Sequence, residues 1–390
     1  MIDHLFLGPQ TNPKGEVAVV SATIRKGHAI PMHDRQLWTQ AGTPLLMRKK
    51  KKSFPSPKKQ EQEIALTEFL VGAGGWSYFQ VPGEDSLSAY AKAFNFVEIN
   101  STFYEYPETR TVRSWTKRTP GTFQFSVRCH RDVTYRNGME PSDANMASLE
   151  RMLDICEILQ ANILHIQIPR GTRFDDDKIK KVHNLLHSVD LGRVRIALEI
   201  SGLGRSLDTR MITVMQDLNL IHCVDLSQTE PAYKSDILYT RLFGPTGNNV
   251  YQFSDEELRE IDTKASGPEF EKSILAFHGV KMYKDAARLK VFKDTREFPA
   301  VTSNEGLESL REVLSEDCTF PTSSVDLIKR QGWKMIDLTS KRRIRAAIVL
   351  EKLPNRQYFS VGDVITTLRN LQRRTLSACT PGYSVATNKS

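Results

Sequence analysis

Phe94-Asn95-Phe96-Val97-Glu98-Ile99-Asn100 is a short run with an apolar face (Val97, Ile99) and an alternating face of Phe96, Glu98 and Asn100 that continues to Thr102. Seven further runs share this character: Phe69–Ala73, Phe123–Arg128, Ile163–Ile168, Val194–Ile200, Ile221–Leu226, Ile237–Phe243 and Ile274–His278. Most are separated by enough chain for a helix, which predicts alternating strand and helix units around a parallel sheet. Eight such units make a (β/α)8 TIM barrel, whose chemistry sits where the strands end. In a parallel barrel the outer face packs on helices and is apolar, so the alternating polar residues point inward.

The inward set then comprises Gln124, Ser126 and Arg128; His165 and Gln167; Arg195, Ala197 and Glu199; Cys223 and Asp225; Tyr239 and Arg241; and His278. Asn100, Arg128, Gln167, Glu199, Asp225, Arg241 and His278 gather at strand C-termini. Burying an unpaired charge costs several kcal/mol, so these groups either neutralise one another or serve a ligand. The structural alternative is an ion-pair network in which Arg128, Arg195 and Arg241 neutralise Glu98, Glu199 and Asp225. Concentration at one rim favours a pocket.

The 390 residues leave room for segments beyond a barrel of about 250 residues. The expected organisation is a flexible basic extension over 1–65, the barrel over 66–300, a small α-helical domain over 301–372 and a disordered tail over 373–390. In the last part, helices are expected over Ser323–Gly332, Ser340–Leu353 and Ser360–Leu371, the last capped by Ser360 with Asp363. Before them, Met282–Leu289 reads as a helix closing the ring and Lys293–Asn304 as a linker.

Net charge is +8, unevenly spread. Residues 1–65 hold 11 Lys and Arg against 5 Asp and Glu, and residues 301–390 hold 14 against 9, whereas the barrel segment holds 29 against 32. Any nucleic-acid affinity therefore belongs first to the basic tails; Arg48–Lys52 reads first as part of a solvated extension and Lys341-Arg342-Arg343-Ile344-Arg345 as a solvated helix face, with phosphate contact the alternative for each. Met47, just before the first of these runs, is an alternative translation start. No apolar run approaches the ~18 residues of a membrane span, and Met1–Gln10 lacks a secretory pattern, so a cytoplasmic protein with no membrane partner is expected. Cys129, Cys156, Cys223, Cys318 and Cys379 include no CxxC pair, which argues against a disulfide framework and a structural zinc site.

Several segments resemble one family in order along the chain: Gly74-Gly75-Trp76-Ser77-Tyr78, Val97-Glu98-Ile99-Asn100-Ser101-Thr102-Phe103-Tyr104, Phe123–Arg128, Gln167-Ile168-Pro169, Ala197-Leu198-Glu199 and Tyr239–Gly244. Together they look like domain of unknown function 72, the YecE-like family, over roughly Leu70 to Phe292. The resemblance implies a TIM barrel with a rim pocket and no agreed reaction. Its barrel is similar to endonuclease-IV-like and sugar-isomerase-like barrels, which suggests phosphodiester or sugar-phosphate substrates by analogy. The chain departs from the family at Arg128, Tyr135, Phe243 and Ser201, where Lys, His, His and Arg are usual.

Three readings follow. The first is a hydrolase or phosphodiesterase-like enzyme on a phosphorylated, nucleic-acid-related substrate. Glu98, Glu199 and Asp225 would be its catalytic groups, holding a divalent metal with His278 or His165, while Arg128 and Arg241 grip the anion. Trp76, Tyr78, Asn100, Thr102, Tyr104, Gln167, Tyr239 and His278 would line the substrate. The second is a metal-free acid/base enzyme on a sugar-like ligand, with Glu98 and Glu199 as paired carboxylates. The third is a non-enzymatic protein whose tails grip nucleic acid while the pocket senses a small ligand.

Overall fold

The computed structural model describes residues 3–11, 17–24, 67–201, 206–246 and 249–378. Near the start, β1 (Asp3–Thr11) pairs antiparallel with β2 (Val17–Ile24), so part of the expected flexible extension is regular. Met47, the Arg48–Lys52 run and Cys379 lie outside the described residues.

All eight expected runs are strands. They are β3 (Glu68–Ala73), β4 (Phe96–Ile99), β5 (Gln124–Arg128), β6 (Ile163–Ile168), β7 (Arg195–Ile200), β8 (Ile221–Cys223), β9 (Ile237–Leu242) and β10 (Lys272–Phe277). They form one parallel sheet in the order β8-β7-β6-β5-β4-β3-β10-β9. Its two edges meet at a bridge between Val224 and Thr240, where the Arg241 amide donates to the Val224 carbonyl at 3.1 Å and closes the barrel.

The connections carry α1 (Ser86–Ala93), α2 (Thr109–Lys117), α3 (Asp143–Leu159), α4 (Asp176–His187), α5 (Thr209–Asp217), α6 (Asp255–Ala265) and α7 (Met282–Thr295). Only the β8–β9 connection, all of it described, is a loop without a helix. Helix starts follow local chemistry: Asp85, Ser142 and Asp175 cap α1, α3 and α4, and Ser254 with Glu257 forms a full capping box on α6. Lys293 belongs to α7 rather than to a linker, because it is held by Asp262 at 2.6 Å.

Strand alternation works as expected. Val97, Ile99, Val127, Leu164, Ile166, Ile196 and Leu198 join the large core beneath the helices. Leu70, Phe96, Ile163, Ala197, Ile221, Cys223, Tyr239, Ile274 and Ala276 fill the barrel interior. Above that plug, toward the strand C-termini, the interior becomes polar.

The C-terminal part has its own core, including Leu310, Leu314, Leu327, Ile336, Leu350, Tyr358, Val364 and Ile365. Its helices are α8 (Gly306–Asp317), α9 (Ser324–Gln331), α10 (Ala346–Leu350) and α11 (Val361–Ala378). The expected helix over Ser340–Leu353 is corrected. Arg342–Arg345 is strand β13, paired with β12 (Met335–Thr339), and only the following residues are helical. The Arg-Arg-Ile-Arg alternation suits a hairpin whose two faces meet different neighbours. A second short pair joins β11 (Thr322–Ser323) to β14 (Gln357–Tyr358). Ser360 does accept from the Asp363 amide, at 3.1 Å, at the start of α11. That helix runs to Ala378, past the expected tail boundary at 373; residues 379–390 lie outside the described residues.

Arg343 and Arg345 turn to the barrel and pair with Asp255 and Glu257, leaving Lys341 and Arg342 as the exposed pair of that basic run. Among the described residues no helix is long and apolar enough to cross a membrane.

Candidate functional site

The C-terminal ends of β4, β5, β6, β7, β9 and β10 place Glu98, Arg128, Gln167, Glu199, Arg241 and His278 around one mouth. The layer beneath holds Ser126, His165 and Tyr239. Glu98 is fully buried (0%). It accepts from the Tyr239 hydroxyl at 2.7 Å and from Arg241 Nε at 3.1 Å to each oxygen. Arg241 Nη1 reaches on to Glu199 Oε2 at 2.8 Å. Glu199 also meets His165 Nε2 at 3.0 Å and accepts from Gln167 Nε2 at 2.8 Å, and its side chain is 15% exposed.

Burial alone would raise both carboxyls, but Arg241 overrides it and holds each well below the usual carboxylate range, helped at Glu199 by the hydrogen bond from His165. Both are ionised at neutral pH. Burial, reinforced by Arg241, lowers His165 and pushes His278 down to about 4, so both rings are neutral. His278 Nε2 lies 3.3 Å from Glu98 Oε1 outside hydrogen-bond geometry, a buried ring nitrogen without a hydrogen-bond partner among the described residues. The ring stacks on Phe243, 4.6 Å between centroids.

Arg128 is the unusual group. It is 8% exposed, yet its partners are neutral: Nη1 donates to Asn100 Oδ1 at 2.6 Å and Nη2 donates to Gln167 Oε1. Phe103 lies beneath the guanidinium at 3.7 Å. Nε has no partner. No Asp or Glu oxygen comes within ion-pair distance of it among the described residues. Phe103 also meets Tyr104 and Tyr135 edge-on, at 5.0 and 5.4 Å, and those two tyrosines are exposed (58% and 52%).

Other expected site residues have different tasks. Asp225 is a loop tie: Oδ2 accepts from the Phe243 and Gly244 amides at 3.0 and 3.1 Å and from Gln228, while Oδ1 accepts from Ser227. Thr102 is buried and donates to the Arg128 carbonyl at 2.6 Å, which fixes the strand end rather than a ligand. Tyr239 supports Glu98 from below. Trp76 packs edge-on against Trp115 at 5.3 Å, while Tyr78 is exposed. Arg195 faces the opposite end of the barrel and pairs there with Asp236 at 2.5 Å.

The expected metal ligands Glu98, Glu199, Asp225 and His278 do not fit a cation. Asp225 is committed to backbone, and the Arg241 guanidinium spans the two glutamates where a metal would sit. Another trio, His165, Glu199 and Cys223, has donor atoms within 4.8 Å of one another. Arg241 and His165 already share Glu199 Oε2, and burial keeps the Cys223 thiol protonated by pushing it well up.

Sequence reasoning missed the role of Gly74. A Cβ there would lie 2.1 Å from His278 Cε1, so the glycine makes room for the imidazole. The Gly-Gly-Trp motif marked the position without revealing the ring above it. Ser201, which donates toward Glu199 at 3.4 Å, carried no signal beyond being a departure from the family pattern.

A family model described as protein of unknown function DUF72 matches residues 70–297. The chain is similar to UPF0759 protein YunF of Bacillus subtilis (strain 168), 30% identical over 102 residues, which is 24% of this chain and 35% of that protein. The match therefore spans about a third of that relative's length. In fold the chain is similar to a DUF72 family protein from Enterococcus faecalis V583, with a TM-score of 0.48 at 15% identity, covering 59% of this chain and 99% of the other. A DUF72 family protein from Thermotoga maritima gives a TM-score of 0.47 at 19% identity, covering 58% and 99%.

Proposed function

The chain belongs to the DUF72 family, and from that premise we propose that it is a hydrolase-like enzyme acting on a phosphodiester or sugar-phosphate substrate at the C-terminal rim of its barrel. The observation that carries this reading is Arg128, a buried guanidinium held by two amide oxygens and an aromatic face, with no carboxylate partner. Such a cation is stabilised by an incoming anion, and guanidinium donors match phosphate oxygens in pairs. Phe103, Tyr104 and Tyr135 form the adjoining wall on which a sugar or base ring rests.

The rest of the mouth has a division of labour. Glu199, the more open carboxylate, orients the attacking water. His278, the neutral imidazole at the rim whose Nε2 faces the buried Glu98, is the group assigned to exchange a proton with the reacting oxygens. Glu98 and Tyr239 are positioning residues, because they reach the substrate only through Arg241 and His278. A two-carboxylate sugar hydrolase needs one carboxyl kept protonated. Arg241 holds both ionised, which favours the phosphate reading over the sugar one.

The test is turnover of a panel of phosphodiesters and sugar phosphates by wild type, Glu199→Gln and His278→Asn, with and without chelator. The expected result is chelator-insensitive release of product that falls at least about a hundredfold in both variants. Unaltered rates in both variants would remove the proposed roles.

A further inference from the structure

We infer that the C-terminal unit is a positioning element for the site, gripping the two rim segments that set the His278 wall and acting chiefly through Arg345 and Glu316. The geometry is local to that wall and does not depend on which substrate visits it.

The first grip falls on the segment after β9. Arg345 Nη1 donates to the Gln252 carbonyl at 3.0 Å and to the Trp333 carbonyl at 2.7 Å. Its Nη2 donates to the Tyr251 hydroxyl at 2.5 Å and to Glu257 at 3.2 Å, and the guanidinium covers the Tyr251 ring at 4.5 Å. Gln252 is almost fully buried, and its side-chain oxygen accepts from the Met335 amide at 2.8 Å. Tyr251 in turn packs over Gly244, where a Cβ would meet the ring at 2.4 Å. Gly244 directly follows Phe243, the residue stacked on His278. From Arg345 to His278 the path is a continuous series of contacts.

The second grip falls on the turn after β10. Lys281, three residues beyond His278, pairs with Glu316 Oε2 at 2.7 Å, and Lys284 pairs with Oε1 at 2.9 Å. Lys334 comes within 3.5 Å of the same carboxylate and pairs with Asp317 at 2.5 Å. All three lysines are largely buried, so Glu316 is the counter-charge that keeps them there. The two grips also meet each other, because the Val280 amide donates to the Asn249 carbonyl at 3.1 Å beneath Gly279. Gly279 has φ +92°, and a Cβ there would lie 2.6 Å from that carbonyl.

The test uses the full chain. Amide exchange is followed at Phe243, Gly244, Tyr251, Gln252 and Val280, and the His278 ring is titrated by NMR, in wild type, Arg345→Ala, the milder Arg345→Lys and a control, Arg369→Ala. Arg369 pairs with Glu308 on the outer side of the unit. In both Arg345 variants the expected result is exchange at the named amides about tenfold faster, with the core of the C-terminal unit still protected. The His278 midpoint is expected to rise by about one pH unit as the ring gains solvent, and Arg369→Ala is expected to change neither. Exchange and titration at wild-type values in both Arg345 variants would overturn the inference. So would equal acceleration across the whole chain, which would mark Arg345 as a general stabiliser.

Discussion

Arg241 Nε sits 3.1 Å from both carboxylate oxygens of Glu98 at the centre of the barrel mouth. That contact decides what the two glutamates are. Bridged by a guanidinium, they are fixed anions that organise Arg241, His165 and His278, and neither is a reservoir of protons.

Losing the fully buried Glu98 charge leaves the Arg241 guanidinium with Glu199 as its remaining counter-charge, at 2.8 Å, and takes the charged acceptor from the Tyr239 hydroxyl. Glu98→Gln is therefore expected to destabilise the barrel by about 3–5 kcal/mol, read as a lower urea midpoint with an unchanged slope. A loss below 1 kcal/mol would mean that Glu199 alone suffices to hold Arg241.

Gly74→Ala places a methyl where His278 stands. The ring must shift, which forces it off the Phe243 stack. The expected cost is about 1–3 kcal/mol of stability, with a changed His278 ring environment in NMR spectra. An unshifted His278 resonance would show that the strand gives way instead.

His278 titrates near 4 in the folded chain, below the ordinary value of 6.5. Between those values the unfolded chain binds the extra proton, so stability falls as pH drops from about 6.5 to about 4. The ring contributes about 3 kcal/mol of that loss. His165 acts in the same direction. Denaturant titrations at pH 7 and pH 4.5 are expected to show a smaller difference for His278→Asn than for wild type. An identical difference would mean that the imidazole is not held neutral.

Asp225→Asn tests the loop-tie assignment. Two backbone amides lose a charged acceptor, at an expected cost of about 1–3 kcal/mol, while phosphate binding at Arg128 stays within about threefold of wild type, a free-energy change below about 0.7 kcal/mol. A large loss of binding with intact stability would return Asp225 to the site.

Much of this was legible in the chain. Period-two alternation located all eight strands and assigned Glu98, Arg128, Gln167, Glu199, Tyr239 and Arg241 to the interior, because a strand facing helices on one side leaves its polar residues a single direction. Alternation says nothing about what happens beyond the strand end. Asp225 follows β8 by two residues, and there the backbone turns, so its carboxylate meets amides instead of the mouth. Thr102 lies past β4 for the same reason. Arg195 has inward parity but stands at the first residue of its strand, at the other end of the barrel. Charge density marked Lys341–Arg345 without separating the residues that face solvent from those that face the barrel, since that depends on hairpin pairing with Met335–Thr339. The need for Gly74 came from a ring more than two hundred positions away, which no local pattern encodes.

The central claim is that Arg128 is a cation waiting for an anion, and calorimetric titration with inorganic phosphate and ribose 5-phosphate at low and moderate salt tests it most directly. Wild type is expected to bind both, the sugar phosphate more tightly, with Arg128→Gln at least about tenfold weaker, a loss of about 1.4 kcal/mol or more. Arg128→Gln binding as tightly as wild type, or wild type binding neither anion, would contradict the account.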